Sequence, residues 1–436
     1  MNPVTKTALF GSLTILLSGL PGTVLAGSLG TLLHEIEKTA PTLQATAARS
    51  QAAAAAVQIA RSRLYGHAEL FGKDSHFDHD RLVNPIHYPP TLTQSLFDSN
   101  LFGYGAAVTL PMDVDGRIKA GIRAEQQLSK AAVANLKQTR LQLFKQTVTL
   151  YRGLQRLQGL QQALRQQHKA LLNHQKITRT AVQVGRIANV ELLRIESEIK
   201  AVESKLAGLQ GDEAKLRAGL GALLNRALYT DAVGLPSIHL TKMTPNTPVN
   251  KKLLQRPDVE AAKSLTRADG ERLQSARREW LPTLSLRAEM LHNQGYTADG
   301  QTTWSITGQL SWQFWDGGRR RAKVKQALAN QEAARLQYRH TMNQATSEWQ
   351  TANAGWDSSK LQYQATIAEF KLALETERIQ SDRFINGRIS SVDLIDAETS
   401  LARARADQAS ALVNWWLADD QLRLAQGLEP KAYQND

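Results

Sequence analysis

No proline occurs between Pro111 and Pro236, and none between Pro282 and Pro430. Proline removes a backbone donor and clashes with the preceding turn, so two proline-free stretches of this length permit helices that few globular proteins could accommodate. Within the first stretch Leu136, Leu143, Leu150, Leu157, Leu164 and Leu171 recur at every seventh residue. Further on, Leu192, Ile199, Leu206 and Leu220 hold one heptad position, with Ile195, Val202, Leu209, Leu216 and Leu223 three residues behind; Glu213 interrupts the series. A strict seven-residue repeat keeps its seam facing a partner only if the helices supercoil, so the pattern predicts coiled helices. A helix from about Gly116 to Gln183 would be roughly 100 Å long at 1.5 Å per residue, longer than any compact core.

The helices are predicted to reverse at two related places. Val184-Gly185-Arg186-Ile187-Ala188-Asn189-Val190-Glu191-Leu192-Leu193 matches Asn386-Gly387-Arg388-Ile389-Ser390-Ser391-Val392-Asp393-Leu394-Ile395 at an offset of 202 residues. The same offset relates Gly116-Arg117 to Gly318-Arg319 and Thr139 to Thr341, whereas an offset of 216 pairs Pro41 with Pro257 and Ala60-Arg61 with Ala276-Arg277. The chain is therefore a duplication with insertions between the arms. In each turn glycine supplies the left-handed stop, and Asn189 or Ser391 is expected to cap the returning helix.

Between the arms the period changes to two. Trp304, Ile306, Gly308, Leu310, Trp312 and Phe314 alternate with Ser305, Thr307, Gln309, Ser311 and Gln313, predicting a strand over Thr303 to Phe314. Leu284, Leu286, Ala288 and Met290 form a second alternating set, and Phe102, Tyr104, Ala106, Val108 and Leu110 a third; a less regular strand lies near His67 to Phe71. Four strands are expected, paired as one hairpin in each repeat. The alternation fits both a soluble sheet buried on one face and part of an outer-membrane barrel. In lipid, however, four strands cannot close, and an open edge leaves backbone groups unpaired at several kcal/mol each. Membrane strands would therefore need several chains to share one barrel, and three chains would supply twelve strands.

Residues 1–26 carry one basic residue, Lys6, an apolar run from Ala8 to Leu20, a Pro21-Gly22 break and Val24-Leu25-Ala26. This reads as a secretory signal cleaved after Ala26; a membrane anchor is disfavoured because the run falls short of the roughly 20 residues a span needs. The formal charge of +13 becomes +12 once Lys6 is removed, so the exported chain stays basic. It lacks nucleic-acid-binding motifs, and the charge reads as solvated helix faces. With no cysteine there is no disulfide, no thiolate metal site and no N-terminal lipid anchor.

The order and spacing of Leu281-Pro282-Thr283-Leu284, Phe314-Trp315-Asp316-Gly317-Gly318-Arg319 and the two Gly-Arg-Ile turns resemble TolC-type outer-membrane efflux proteins over essentially the whole mature chain. The resemblance implies a mainly α protein with a small β part. Duplicated long coiled helical hairpins would form a periplasmic α-barrel, and four strands per chain would join a trimeric twelve-stranded transmembrane β-barrel. The expected layout is a signal peptide (1–26), a first periplasmic helix (27–64), a first β-hairpin with a long extracellular loop (65–111) and a first helical hairpin (112–235). A linker and second periplasmic helix (236–281), a second β-hairpin (282–315), a second helical hairpin (316–427) and a tail (428–436) follow. The resemblance also implies a homotrimer in outer-membrane lipid, working with a periplasmic adaptor and an inner-membrane pump of the resistance-nodulation-division or ABC type.

No phosphate-binding loop, nucleophile elbow or cofactor motif occurs, so a passive conduit is expected and no enzyme. The alternative is a soluble periplasmic coiled-coil adaptor or scaffold. Asp393 and Asp396, three residues apart, share one helix face; by resemblance they form a periplasmic gate, although Asp393 also suits a helix first turn. Phe384 matches a family aromatic at the closed end but carries no hydroxyl. The family's arginine partner falls on Ile389, with Arg388 one residue earlier, so any latch must differ. By the same resemblance Gly185, Arg186 and Ile187, with Gly387, Arg388 and Ile389, form the adaptor-docking tips. His67, His76, His79 and His87 fall in or beside a loop expected from Gly72 to Asn100; His76-Phe77-Asp78-His79-Asp80 offers donors for a metal, but with no rigid element to hold them a solvated extracellular loop is the preferred reading. Trp415 and Trp416 are expected in the core or at a helix seam.

Overall fold

The computed structural model describes residues 28–86, 96–227, 229–231, 233, 253 and 255–435. The predicted signal peptide and His87 lie outside them. Helices α1 (Leu29–Thr39) and α2 (Pro41–Ser62) lead into strands β1 (His67–Leu82) and β2 (Phe97–Met112). The first helical hairpin follows as α3 (Arg117–Gln183) and α4 (Asn189–Leu223). The second half repeats the order with α5 (Pro257–Arg278), β3 (Thr283–Gly295), β4 (Gln301–Ser311), α6 (Arg319–Ile385) and α7 (Ser391–Ala425), ending in the short α8 (Lys431–Asn435).

Helices α3 and α6 each have 67 residues, and α4 and α7 each have 35. Neither 35-residue helix can cover its long partner, and the remainder is taken up by α2 and α5, which pack on α3, with α5 also reaching α6. Lower down, α3 lies between α4 and α7, and α7 packs against α6. Glu213, the break in the heptad series, accepts hydrogen bonds from Gln161 Nε2 at 2.9 Å and Arg217 Nε at 2.8 Å. The polar exception is thus satisfied within the seam.

The two hairpins are joined by polar groups as well as by packing. Arg152 on α3 donates to Asp420 on α7 at 2.9 and 3.1 Å, and both are buried. Trp356 Nε1 donates to Asp419 at 3.0 Å. Trp415 is buried, stacked on Tyr363 and edge-on to Trp356, while Trp416 is partly buried beneath Arg152. Around the middle of α3, Phe144, Val148 and Tyr151 meet Leu32, Leu33 and Ile36 of α1 and Tyr433 of α8.

All four strands belong to one antiparallel sheet in the order β1-β2-β3-β4, because β2 pairs with β3 as well as with β1. The expected hairpins are therefore fused across the two repeats. Strand β1 continues to Leu82, so His76 and His79 lie on a strand and not in the expected loop; His76 Nδ1 meets Asn100 Oδ1 at 2.6 Å across to β2. Strand β4 ends at Ser311, short of the predicted Phe314, and Trp312 instead donates from Nε1 to the Trp280 carbonyl at 3.1 Å.

The register places like with like. Leu284 faces Leu310, Ala288 faces Ile306 and Met290 faces Trp304, while Val108 sits opposite Ala288 and Leu110 opposite Leu286. On the other face Arg287 bonds Glu69 at 2.9 Å and Glu289 at 2.8 Å. Period two thus sorts the sheet into an apolar and a polar side. Among the described residues nothing covers the apolar side: Trp304 is 77% exposed, Leu310 67% and Ile306 64%.

Candidate gate at the helical tips

The tips form because both long helices end in the same backbone device. At α3, Arg186 N–H donates to Ala181 O at 2.9 Å and Gly185 N–H to Val182 O at 3.0 Å; at α6, Arg388 donates to Arg383 O and Gly387 to Phe384 O, both at 2.9 Å. These are paired Schellman bonds around a left-handed residue, with φ of 70° at Gly185 and 67° at Gly387. Gly185, Arg186, Gly387 and Arg388 are exposed, whereas Ile187 and Ile389 are half-buried. The most exposed apolar side chains at the tips are Val184 and Ile385.

The returning helices start one residue earlier than the sequence suggested. Ser390, not Ser391, caps α7: its Oγ accepts from Asp393 N–H at 3.4 Å, while Asp393 Oδ2 accepts from Ser390 N–H at 3.1 Å and its hydroxyl at 2.8 Å. This reciprocal box lowers the Asp393 pKa, the Ser390 hydroxyl bond being the main cause. At α4 the cap is Ala188, not Asn189, and it has no side chain to bond with. Glu191, the duplicate of Asp393, is then free to bond elsewhere. It reaches across to the second hairpin, accepting from Ser391 N–H at 2.9 Å and from the Ser391 hydroxyl, while Arg194 bonds it at 3.0 Å.

Phe384 is buried among Leu171, Ile195, Ile199, Val202 and Leu394, drawn from both hairpins. Ile389 packs against the same cluster, so the position matching the family's arginine is occupied by an apolar contact. Asp393 and Asp396 are exposed on α7. The structure does not bring Phe384 and the two aspartates into one contact; it sets the aromatic inside the seam and the carboxylates on its surface.

Sequence reasoning missed a second group of residues beside Phe384. His174 on α3 lies edge-on to Phe384, with ring centres 6.2 Å apart, and its Nε2 is 3.1 Å from Glu398 Oε1 on α7. Glu377 on α6 completes the group; burial, then the neighbouring Glu398, pushes its carboxyl pKa up. Only the folded arrangement unites these residues, whereas Glu191 could have been found from the 202-residue offset that pairs it with Asp393.

Two tandem hairpins built on helices about 100 Å long carry one open sheet whose apolar face no described residue covers. The family model described as outer membrane efflux protein matches residues 32–226 and 249–428. This chain belongs to that family. Nodulation protein T of Rhizobium leguminosarum bv. trifolii is 21% identical over 314 residues, 69% of this chain and 66% of that protein. Outer membrane protein OprJ of Pseudomonas aeruginosa is 29% identical over 168 residues, 37% of this chain and 34% of OprJ. The match thus spans just under two thirds and about one third of these relatives. The fold is also that of the Campylobacter jejuni CmeC outer membrane channel, with a TM-score of 0.78 and 20% identity over 93% of this chain and 88% of CmeC.

Proposed function

We propose that the protein is the outer-membrane duct of a tripartite efflux or type I secretion system. The observation that carries this reading is the sheet: among the described residues it is apolar and uncovered on one face, polar on the other, and unpaired along its edges at β1 and β4. In lipid such edges demand neighbours, and two further copies would close a twelve-stranded barrel, making a homotrimer. A soluble periplasmic adaptor or scaffold has no use for this face, which in water would be an aggregation surface.

The duct conducts passively, without enzymatic activity, and takes its energy from an inner-membrane pump of the resistance-nodulation-division or ABC type through a periplasmic adaptor. The tips at Gly185, Arg186, Ile187, Gly387, Arg388 and Ile389 dock the adaptor, with Val184 and Ile385 offering exposed apolar contacts. Phe384 holds the tips shut from inside the seam. Asp393 and Asp396, present three times around the axis, form a carboxylate ring that favours cations. The chain reaches the outer membrane after loss of residues 1–26.

Reconstitution into planar bilayers tests the proposal. Discrete, cation-preferring channels of low conductance are expected, and failure of the folded protein to form any channel overturns it. Photo-crosslinking from positions 186 and 388 in cells tests the docking surface. An adaptor recovered from the tips supports it; trimers crosslinked only to other trimers reject it.

A further inference from the structure

The group at His174, Glu377 and Glu398 is an unusual thing to bury. Each residue comes from a different helix, α3, α6 and α7, so the group joins the two hairpins at the level of Phe384. The side chains of His174 and Glu398 are 9% and 3% exposed, and Glu377 is half-buried. One ligand atom from each lies within 4.8 Å of the others.

Two carboxylates and an imidazole in contact need positive charge to compensate them. Arg405 is the positive group near both carboxyl groups, but its guanidinium lies over the Phe370 ring at 5.6 Å. The polar complement is also incomplete, since His174 Nδ1 is buried without a hydrogen-bond partner. A buried polar atom without a partner marks a place where a water or an ion belongs.

We propose that His174, Glu377 and Glu398 form a divalent-cation site that clamps α3, α6 and α7 together just above the tips. One nitrogen and two carboxylate oxygens suit a borderline ion such as zinc; magnesium and calcium prefer more, and exclusively oxygen, ligands. Donors around tetrahedral zinc stand roughly 3.4 Å apart, so the three atoms need close only slightly to share one ion. With three protein donors, water would take the fourth position of a tetrahedral ion. The ion would hold the second hairpin on the first and so oppose opening; that consequence rests on the reading of the tips as a gate, whereas ion binding does not.

The test uses the detergent-purified full chain, stripped with chelator and titrated with Zn²⁺ by calorimetry and with Co²⁺ by visible absorption. One saturable ion per chain is expected, with the intense d–d bands of a four-coordinate site. Affinity should fall at least tenfold in Glu377→Gln and in His174→Asn, and should be unchanged in the His76→Asn/His79→Asn double variant. Glu377→Gln is the safer substitution for folding, and an unchanged helical circular dichroism spectrum certifies it. No saturable binding by the wild type overturns the proposal, as does binding that survives Glu377→Gln and His174→Asn or disappears with the strand histidines. Bilayer recordings with added Zn²⁺ examine the gating consequence separately: fewer openings in wild type but not in Glu377→Gln support it, and an equal response in both rejects the clamp while leaving the channel reading intact.

Discussion

The carboxylate of Glu191 bonds the backbone N–H of Ser391 at 2.9 Å, as well as its hydroxyl, so the first turn of α4 is tied to the first turn of α7. The duplicate residue, Asp393, turns inward to its own cap because Ser390 offers a hydroxyl where the first repeat has Ala188. One duplicated position has become a latch between hairpins in one copy and a helix cap in the other.

Glu191→Gln should loosen the tips. A charge-assisted bond to a mostly buried carboxylate contributes about 1 to 2 kcal/mol, so a fall in melting temperature is expected. The hydrogen bonds from Ser391 lower the Glu191 pKa, so the contribution is complete above the unfolded value of about 4.3 and fades as pH falls through the lower folded value. The gap in melting temperature between wild type and variant should be full at neutral pH and shrink below about pH 4. A gap that is constant with pH would exclude the ionised bond as its source.

Asp393 and Asp396 should separate experimentally. Asp393→Asn should lower stability by weakening the capping box and should also alter selectivity, whereas Asp396→Asn should change cation selectivity with no loss of melting temperature. Together the substitutions should raise single-channel conductance or reduce cation preference. Unchanged conductance and selectivity in the double variant would remove both residues from the gate.

Phe384→Ala should cost about 3 to 4 kcal/mol, because it empties a buried site shared by both hairpins. Since the cavity opens between hairpins, the bilayer signature should be longer or more frequent openings. A destabilised variant with wild-type gating would place the aromatic in the core alone.

Periodicity carried much of the fold. The seven-residue repeat predicted α3 because each leucine has to meet a partner along a continuous seam, and the alternation of Trp304, Ile306 and Leu310 predicted β4 because a sheet has two faces. Its ends were less legible: Trp312 continues the period but leaves the ladder to bond Trp280. The caps were misplaced by one residue since adjacent serines at 390 and 391 both suit a helix start, and only the fold shows that Ser391 is engaged by Glu191. His174, Glu377 and Glu398 were invisible because nothing in the local sequence of three separate helices reveals that their side chains converge. Asp393 and Asp396 were named through family resemblance, and the position of their carboxylates relative to a central axis is a property of the assembly.

If this sheet is one third of a wall, the mass of the detergent-solubilised protein must show it. Native mass spectrometry of material extracted from outer membranes should give three copies, which heating in dodecyl sulfate separates into single chains. A single chain that stays dispersed in aqueous buffer without detergent would rule out a shared barrel.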